Sequence, residues 1–209
     1  MFKKPVFIKS NSYVSNNPIK ASSQIPQWYQ HGNEVIDAKT GSPILTSGET
    51  TPAMRGTPFI VNSLSSGFFL TTWVDFEIYE NTDDGAIKLK YVRDTKDGIF
   101  DLSSDYGLLE HCSSDLYNTL PKPQDFGNTN PLYRWAIPYD LNPPKKYLTL
   151  ITHPFNRYDL PFVTSTQAID LKTSHTELKI PVFFKKRWKG IVKQGTPFAQ
   201  IVFIKKEYK

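Results

Sequence analysis

The chain has 209 residues, a hydrophobic fraction of 39% and an aromatic fraction of 14%, enough for one domain with a substantial core or two very small ones. Phe, Tyr, Ile and Leu are too plentiful for a wholly disordered chain, and no run approaches the ~18 apolar residues of a membrane helix. A net charge of +5 points to an anionic partner, and a single cysteine, Cys112, excludes an internal disulfide and points to a reducing compartment.

The first residues, Met1-Phe2-Lys3-Lys4-Pro5, are followed by a short apolar run, Val6 to Ile8, which Lys9 interrupts; this is not the pattern of a signal peptide. From Lys9 to Pro58 the chain is rich in Ser, Asn, Thr, Gly and Pro and short of large apolar residues. It reads as an extended arm or a set of loops pinned by Ile25-Pro26-Gln27-Trp28-Tyr29; from Lys9 to Thr50 little secondary structure is expected, the segment hugging the surface or reaching a neighbouring subunit. Gly67 to Tyr79 alternates as a strand. Phe68, Leu70, Thr72, Val74, Phe76 and Ile78 form its nearly apolar, buried face, and Phe69, Thr71, Trp73, Asp75 and Glu77 form the other. Asn81 to Gly85 reads as a hairpin turn into a second strand, Ala86 to Arg93.

With 16 prolines and 11 glycines spread along the chain, helix signals are poor. The best is Leu102 to Tyr117, with a cap at Ser103 or Ser104 and a weak point at Gly107. Leu120 to Pro131 reads as a loop, and Tyr147 to Thr152, Glu177 to Phe184 and Phe198 to Ile204 as further strands. Gly195-Thr196-Pro197 is the turn before the last strand, in which Gln200 stands among apolar neighbours and is expected to hold backbone groups of an adjacent loop or subunit. The fold class is therefore all-β with few short helices: an N-terminal arm and loops over residues 1–56 and one β domain over 57–209.

No phosphate loop, dinucleotide fingerprint or nucleophile elbow is present, and Ser66-Gly67 and Ser47-Gly48 read as ordinary turn pairs. One cysteine and four scattered histidines (His31, His111, His153, His175) do not make a structural zinc site, and no cofactor is expected. His111 and Cys112 are adjacent and point to opposite faces if extended, which argues against a nucleophile and base pair. The densest polar and aromatic stretch is His153 to Asp159, in which Arg157 either binds an anion or pairs with Asp159, Pro154 fixing the turn. From Lys179 to Lys209 there are nine Lys/Arg and one acid, Glu207. Lys185, Lys186, Arg187 and Lys189, with Arg157, are the candidate anion or partner contacts. Phe183, Phe184, Trp188, Phe198, Phe203 and Tyr208 interleave with this strip, as stacking rings do beside a basic groove in single-stranded nucleic-acid binders; the plain alternative is a solvated strand face.

Ile25 to Tyr29, Thr57-Pro58-Phe59, Ser66 to Asp75, Trp135-Ala136-Ile137, Tyr147 to Asn156 and Gly195 to Val202 together resemble an uncharacterised family found in tailed phages, including T4-like phages of marine bacteria, and in some bacteria. Asn130 to Pro144 departs from the pattern in detail. The tail also resembles the end of the dUTPase-like fold, in which an Ile-Asp loop precedes a Gly-x-x-x-Ala-Gln-hydrophobic motif: here Ala168-Ile169-Asp170, then Gly195 to Ile201. That resemblance implies a β-clip barrel or sandwich with Asp170 near the tail strand, and under an enzyme reading Asp170 would orient the attacking water. The base-stacking Tyr is replaced by Thr173, and the Arg-Ser phosphate grip is missing from Pro154-Phe155-Asn156-Arg157, so catalysis is not expected to carry over. β-clip folds also include trimeric capsid-decorating proteins, which need no active site.

The leading expectation is a phage virion protein, an accessory or decoration subunit, assembled in the host cytoplasm into an oligomer, plausibly a trimer, with other virion proteins as partners and no membrane. The alternatives are a dUTPase-like nucleotide hydrolase and a single-stranded nucleic-acid binder.

Overall fold

Short runs of β-branched and aromatic residues, cut every few positions by Pro or Gly, build a chain of short antiparallel strands. The computed structural model describes residues 6–9, 17–33, 35–42, 47–53, 55, 57–81, 87–92, 100–101, 108–111, 133–137, 139–143, 146–170, 172 and 178–206. The N-terminal segment contributes β1 (Val6–Lys9), β2 (Ile19–Lys20), a 3-10 turn (Ala21–Ser23), α1 (Gln27–Gln30), β3 (Val35–Asp37) and β4 (Thr50–Pro52). Next come α2 (Pro58–Ser65), β5 (Phe68–Thr71), β6 (Asp75–Asn81), β7 (Ile87–Val92), β8 (Phe100–Asp101) and β9 (Leu109–His111). The C-terminal half adds β10 (Tyr133–Ala136), β11 (Tyr139–Asn142), β12 (Tyr147–Thr152) and β13 (Phe162–Thr164). It ends with β14 (Gln167–Ile169), β15 (Lys179–Phe184), β16 (Gly190–Val192) and β17 (Pro197–Lys205).

Three sheets share one core. Their strand orders are β14-β12-β17-β5-β2, β13-β15-β10-β9 and β16-β6-β7-β8, and β1-β11 and β3-β4 form two small pairs. At the centre Trp135 is fully buried, with ring centroids 4.7 Å from Phe198, 5.1 Å from Phe162, 6.2 Å from Phe76 and 6.5 Å from Phe184. These rings come from all three sheets, so one indole joins them. Its Nε1–H donates to Thr164 Oγ1 at 2.9 Å, and that hydroxyl donates onward to the Phe198 carbonyl. A buried indole N–H is thereby satisfied rather than orphaned.

The all-β reading holds, and Tyr147 to Thr152, Ala86 to Arg93, Glu177 to Phe184 and Phe198 to Ile204 all contain strands. The expected single strand Gly67 to Tyr79 is instead two, because the chain leaves one sheet at Thr72 and joins another at Asp75. Leu70, Thr72, Phe76 and Ile78 are buried as predicted, but Phe69 and Trp73 from the opposite face are buried too, and Phe68 and Val74 are half-buried. Alternation marks a sheet with one wet face, and β5 has both faces covered. The predicted turn Asn81 to Gly85 lies mostly outside the described residues, but Asn81 pairs Ile87 across the antiparallel β6 and β7.

The predicted helix Leu102 to Tyr117 is contradicted where it can be seen. Leu109, Glu110 and His111 form β9 and pair Trp135, Arg134 and Tyr133 of β10. Leu108 and Leu109 are both buried, and the Leu109 N–H donates to Tyr91 Oη at 3.2 Å, so tertiary burial overrides local preference. The remainder of that helix, Cys112 included, lies outside the described residues, as does the loop Leu120 to Pro131. A helix missing from the sequence reading is α2: Pro58 occupies its first turn, where a missing N–H costs nothing. Ser63 and Ser65 bond back to the carbonyls of Phe59 and Val61 at 2.9 and 2.7 Å.

The described parts of the N-terminal segment hold only short elements, some of which pair with later strands. β2 pairs β5, Ala21 N donates to the Gly67 carbonyl at 3.1 Å, and β1 pairs β11. The buried carboxylate of Asp37 accepts from Lys39 N, Thr40 N and Ser47 N at 2.9, 2.9 and 2.7 Å, which ties both described ends of the β3–β4 connection to it. Gly67 is no ordinary turn residue. Its φ is +71°, and a Cβ there would stand 1.9 Å from the Ile201 carbonyl oxygen.

Candidate functional site

Two connections bring together most of the residues singled out from the sequence. The first is the loop 153–161 between β12 and β13; the second is the turn 185–189 between β15 and β16. Because β13 pairs β15, with Phe162 opposite Phe184, the end of the loop and the start of the turn must lie side by side. Lys185 seals them: its N–H donates to the Pro161 carbonyl at 2.9 Å and its Nζ to the Tyr158 carbonyl at 2.6 Å.

Inside the loop, Arg157 takes the structural one of its two predicted roles. Its Nε and Nη2 donate to the two carboxylate oxygens of Asp159, each at 2.8 Å, a bidentate fork. Partial burial works to raise the Asp159 pKa, but the Arg157 hydrogen bonds and charge outweigh it and hold the carboxyl below its ordinary 3.8. Arg157 N donates to the Pro154 carbonyl at 3.2 Å, so Pro154 does open a turn, and Asn156 sits at φ +58°.

His153 anchors this loop, a role the sequence did not disclose. Its Nε2 meets the Arg157 carbonyl at 3.1 Å and its Nδ1 accepts from Thr164 N at 3.4 Å. A carbonyl on one side and an N–H on the other suit only the neutral ring with the proton on Nε2. Burial lowers the His153 pKa from its ordinary 6.5, in the same direction. Gln200 holds the loop from beneath. Its Oε1 accepts from Phe155 N at 2.8 Å, and its Nε2 donates to the Ser66 and Ser63 carbonyls at 2.6 and 3.1 Å. The expectation that this buried amide ties backbone groups of adjacent segments is met by the loop and by the end of α2.

The outer surface is basic with an aromatic edge. Tyr158 is 76% exposed. Arg187 (φ +56°) and Lys189 are exposed, and Lys186 is half-buried. Trp188 is half-buried against the core and spans Gly190, where a Cβ would come 3.2 Å from its ring. Of the interleaved rings, Phe183, Phe184 and Phe198 are buried, so they serve packing and not stacking on a ligand. Asp170 is elsewhere. It follows the edge strand β14, is exposed, and pairs with Lys206 Nζ at 3.3 Å. Thr149 faces both Ile169 and Phe203, and Thr152 faces Gln200, so Asp170 stands about four residues, roughly 13 Å, along the strand from Gln200. Thr173 lies outside the described residues, and no group of three or more His, Cys, Asp or Glu able to hold a metal occurs among the described ones.

No helix among the described residues is long and apolar enough to cross a membrane. No family model, curated protein or solved structure matches the chain.

Proposed function

We propose that this chain is a structural protein of a tailed-phage particle, an accessory or decoration subunit of β-clip type that assembles in the host cytoplasm. The observation that carries this reading is how the residues in the stretches compared with the dUTPase-like fold are used. Asp170 pairs with Lys206, Arg157 is forked onto Asp159, and the Gln200 amide makes three bonds to backbone groups. Each does a structural task, and Asp170 and Gln200 are separated along the sheet. The resemblance to phage proteins supplies the setting. Mass spectrometry of purified particles tests it: the chain is expected among the virion proteins, and its absence from them removes the reading. Magnesium-dependent release of pyrophosphate from a deoxynucleoside triphosphate, lost in Asp170→Asn, would establish the hydrolase instead.

A second reading has one observation in its favour, the exposed Tyr158, whose carbonyl Lys185 holds, with Lys186, Arg187 and Lys189 on the adjoining turn. It is single-stranded nucleic-acid binding, by stacking beside a basic surface. This reading expects affinity for an oligonucleotide that falls steeply with salt and weakens in Tyr158→Ala. Equal binding by that variant would count against it.

A further inference from the structure

His153 stands where the loop 153–161 meets the open edge of a sheet. β13 ends its sheet and pairs β15 on one side. On that side Lys185 N donates to the Pro161 carbonyl and Ser165 N to the Pro181 carbonyl, each at 2.9 Å. Bonding directions alternate along an antiparallel strand, so the Thr164 N–H points the other way, off the edge. The His153 ring closes that edge. Its Nδ1 accepts from Thr164 N at 3.4 Å, and its Nε2 donates to the Arg157 carbonyl at 3.1 Å, inside the loop.

This position is hostile to a second ring proton. Both nitrogens of an imidazolium donate, so the added Nδ1–H would face the Thr164 N–H, donor against donor. The charged groups that face the ring are Arg157 and Asp159 in the loop and Lys185 on the adjoining turn; from β13 it meets the Phe162 ring, edge to face at 6.3 Å. A third cation would join two against one carboxylate, and Asp159 is already forked onto Arg157. The stretch 154–159 has little else to hold it. Phe155 N on Gln200 Oε1 and Lys185 Nζ on the Tyr158 carbonyl tie it across to other elements, while Arg157 N on the Pro154 carbonyl closes within the loop. Tyr158 and Asp159 are exposed, whereas Leu160 and Phe162 are buried in the core. A backbone with so few ties belongs to the part of a fold that opens first.

We propose that His153 is a proton-operated latch: its protonation releases 154–159 from Gln200 and Lys185 as a local opening, while Leu160, Phe162 and the β12–β17 ladder stay in place. The opening separates the Tyr158 carbonyl from Lys185 Nζ, so the surface made by the loop and the turn 185–189 changes as the medium turns acidic. The sign follows from the ring. The open loop takes up the proton at the ordinary value of 6.5 and the closed loop only below it, so each pH unit under 6.5 raises the open fraction about tenfold, down to the closed value. The latch is a property of this chain in solution and is separate from whether the chain is found in virions.

Native-state hydrogen exchange on the full chain, followed residue by residue from about pH 7.5 to about pH 5, tests the latch. Protection of the Phe155 and Thr164 amides, corrected for the intrinsic exchange rate, is expected to fall about tenfold per pH unit below 6.5. These amides are expected to stay far less protected than those of the β12–β17 ladder. Urea below the unfolding transition should leave their exchange unchanged, because a local opening exposes little surface. In His153→Gln, which offers a donor and an acceptor but takes up no proton, their protection should not vary with pH. Wild-type protection that is flat with pH would overturn the proposal. So would Phe155 and Thr164 amides that exchange with the ladder and speed up with urea, since that is global unfolding, or a fall of the same slope in His153→Gln.

Discussion

Replacing Gln200 with Met tests the tie between the loop 153–161, the end of α2 and the tail strand. Met keeps the length and volume of the side chain, so the change removes hydrogen bonds without opening a cavity. Three bonds are lost, at 2.8 Å to Phe155 N and at 2.6 and 3.1 Å to the Ser66 and Ser63 carbonyls. The Ser63 carbonyl keeps a partner, Ser66 N at 3.4 Å, so its loss is small. Phe155 N and the Ser66 carbonyl become unpaired groups at a fully buried side chain, each costing about 1–3 kcal/mol. The sum is about 2–6 kcal/mol, read as a fall in the urea midpoint at constant slope. Gln200→Glu sharpens the test. It keeps an acceptor for Phe155 N but sets a carboxylate against two carbonyls, so it is expected to cost at least as much as Met. A loss under about 1 kcal/mol in Gln200→Met would refute the reasoning, since it would mean that water reaches these groups or that the loop finds other donors.

Gly67→Ala is expected to destabilise by more than the ~1–2 kcal/mol of a left-handed backbone angle, because the new methyl would meet the Ile201 carbonyl at 1.9 Å and force β5 from β17; a midpoint within error of wild type would show that the angle or the approach is wrong. Phe76→Ala removes a fully buried ring stacked edge-on against Trp135 and Phe184 and should cost about 3–5 kcal/mol, checked by thermal or urea unfolding. The His153 pKa is lower in the folded chain than its ordinary 6.5, so the unfolded chain takes up the proton first. The stability of the neutral ring is thus fully present above pH 6.5 and is lost as pH falls below it toward the lower folded value. A series of urea midpoints from pH 8 to pH 5 should show that fall in wild type and a flatter profile in His153→Gln, and parallel profiles would remove His153 as the anchor of the loop.

The strands Tyr147 to Thr152, Glu177 to Phe184 and Phe198 to Ile204 were legible because β-branched and aromatic residues run between Pro and Gly, a signal local to each segment. The fork of Arg157 on Asp159 was legible because two opposite charges stand two residues apart, just after a Pro turn. The helix read at Leu102 to Tyr117 failed at β9, where Leu109 is needed by two sheets at once, a demand set by residues far away in the chain. His153 looked like any loop histidine. Its fixed tautomer depends on Thr164 N, eleven residues on, and on a carbonyl that only the folded loop turns toward it.

What the sequence determined by itself was the material: an all-β chain, a basic terminal strip and an amide among apolar neighbours in the last strand. Which sheet each strand joins was settled only in three dimensions, as were the crossing at 72–74, the tight passage of Gly67 under Ile201, and the separation of Asp170 from Gln200. The physical reason is that propensity and alternation act over a few residues. The pairing of strands, the sharing of Trp135 among three sheets and the seal between the loop 153–161 and the turn 185–189 depend on contacts between residues distant in the chain, whose free energy no local pattern carries.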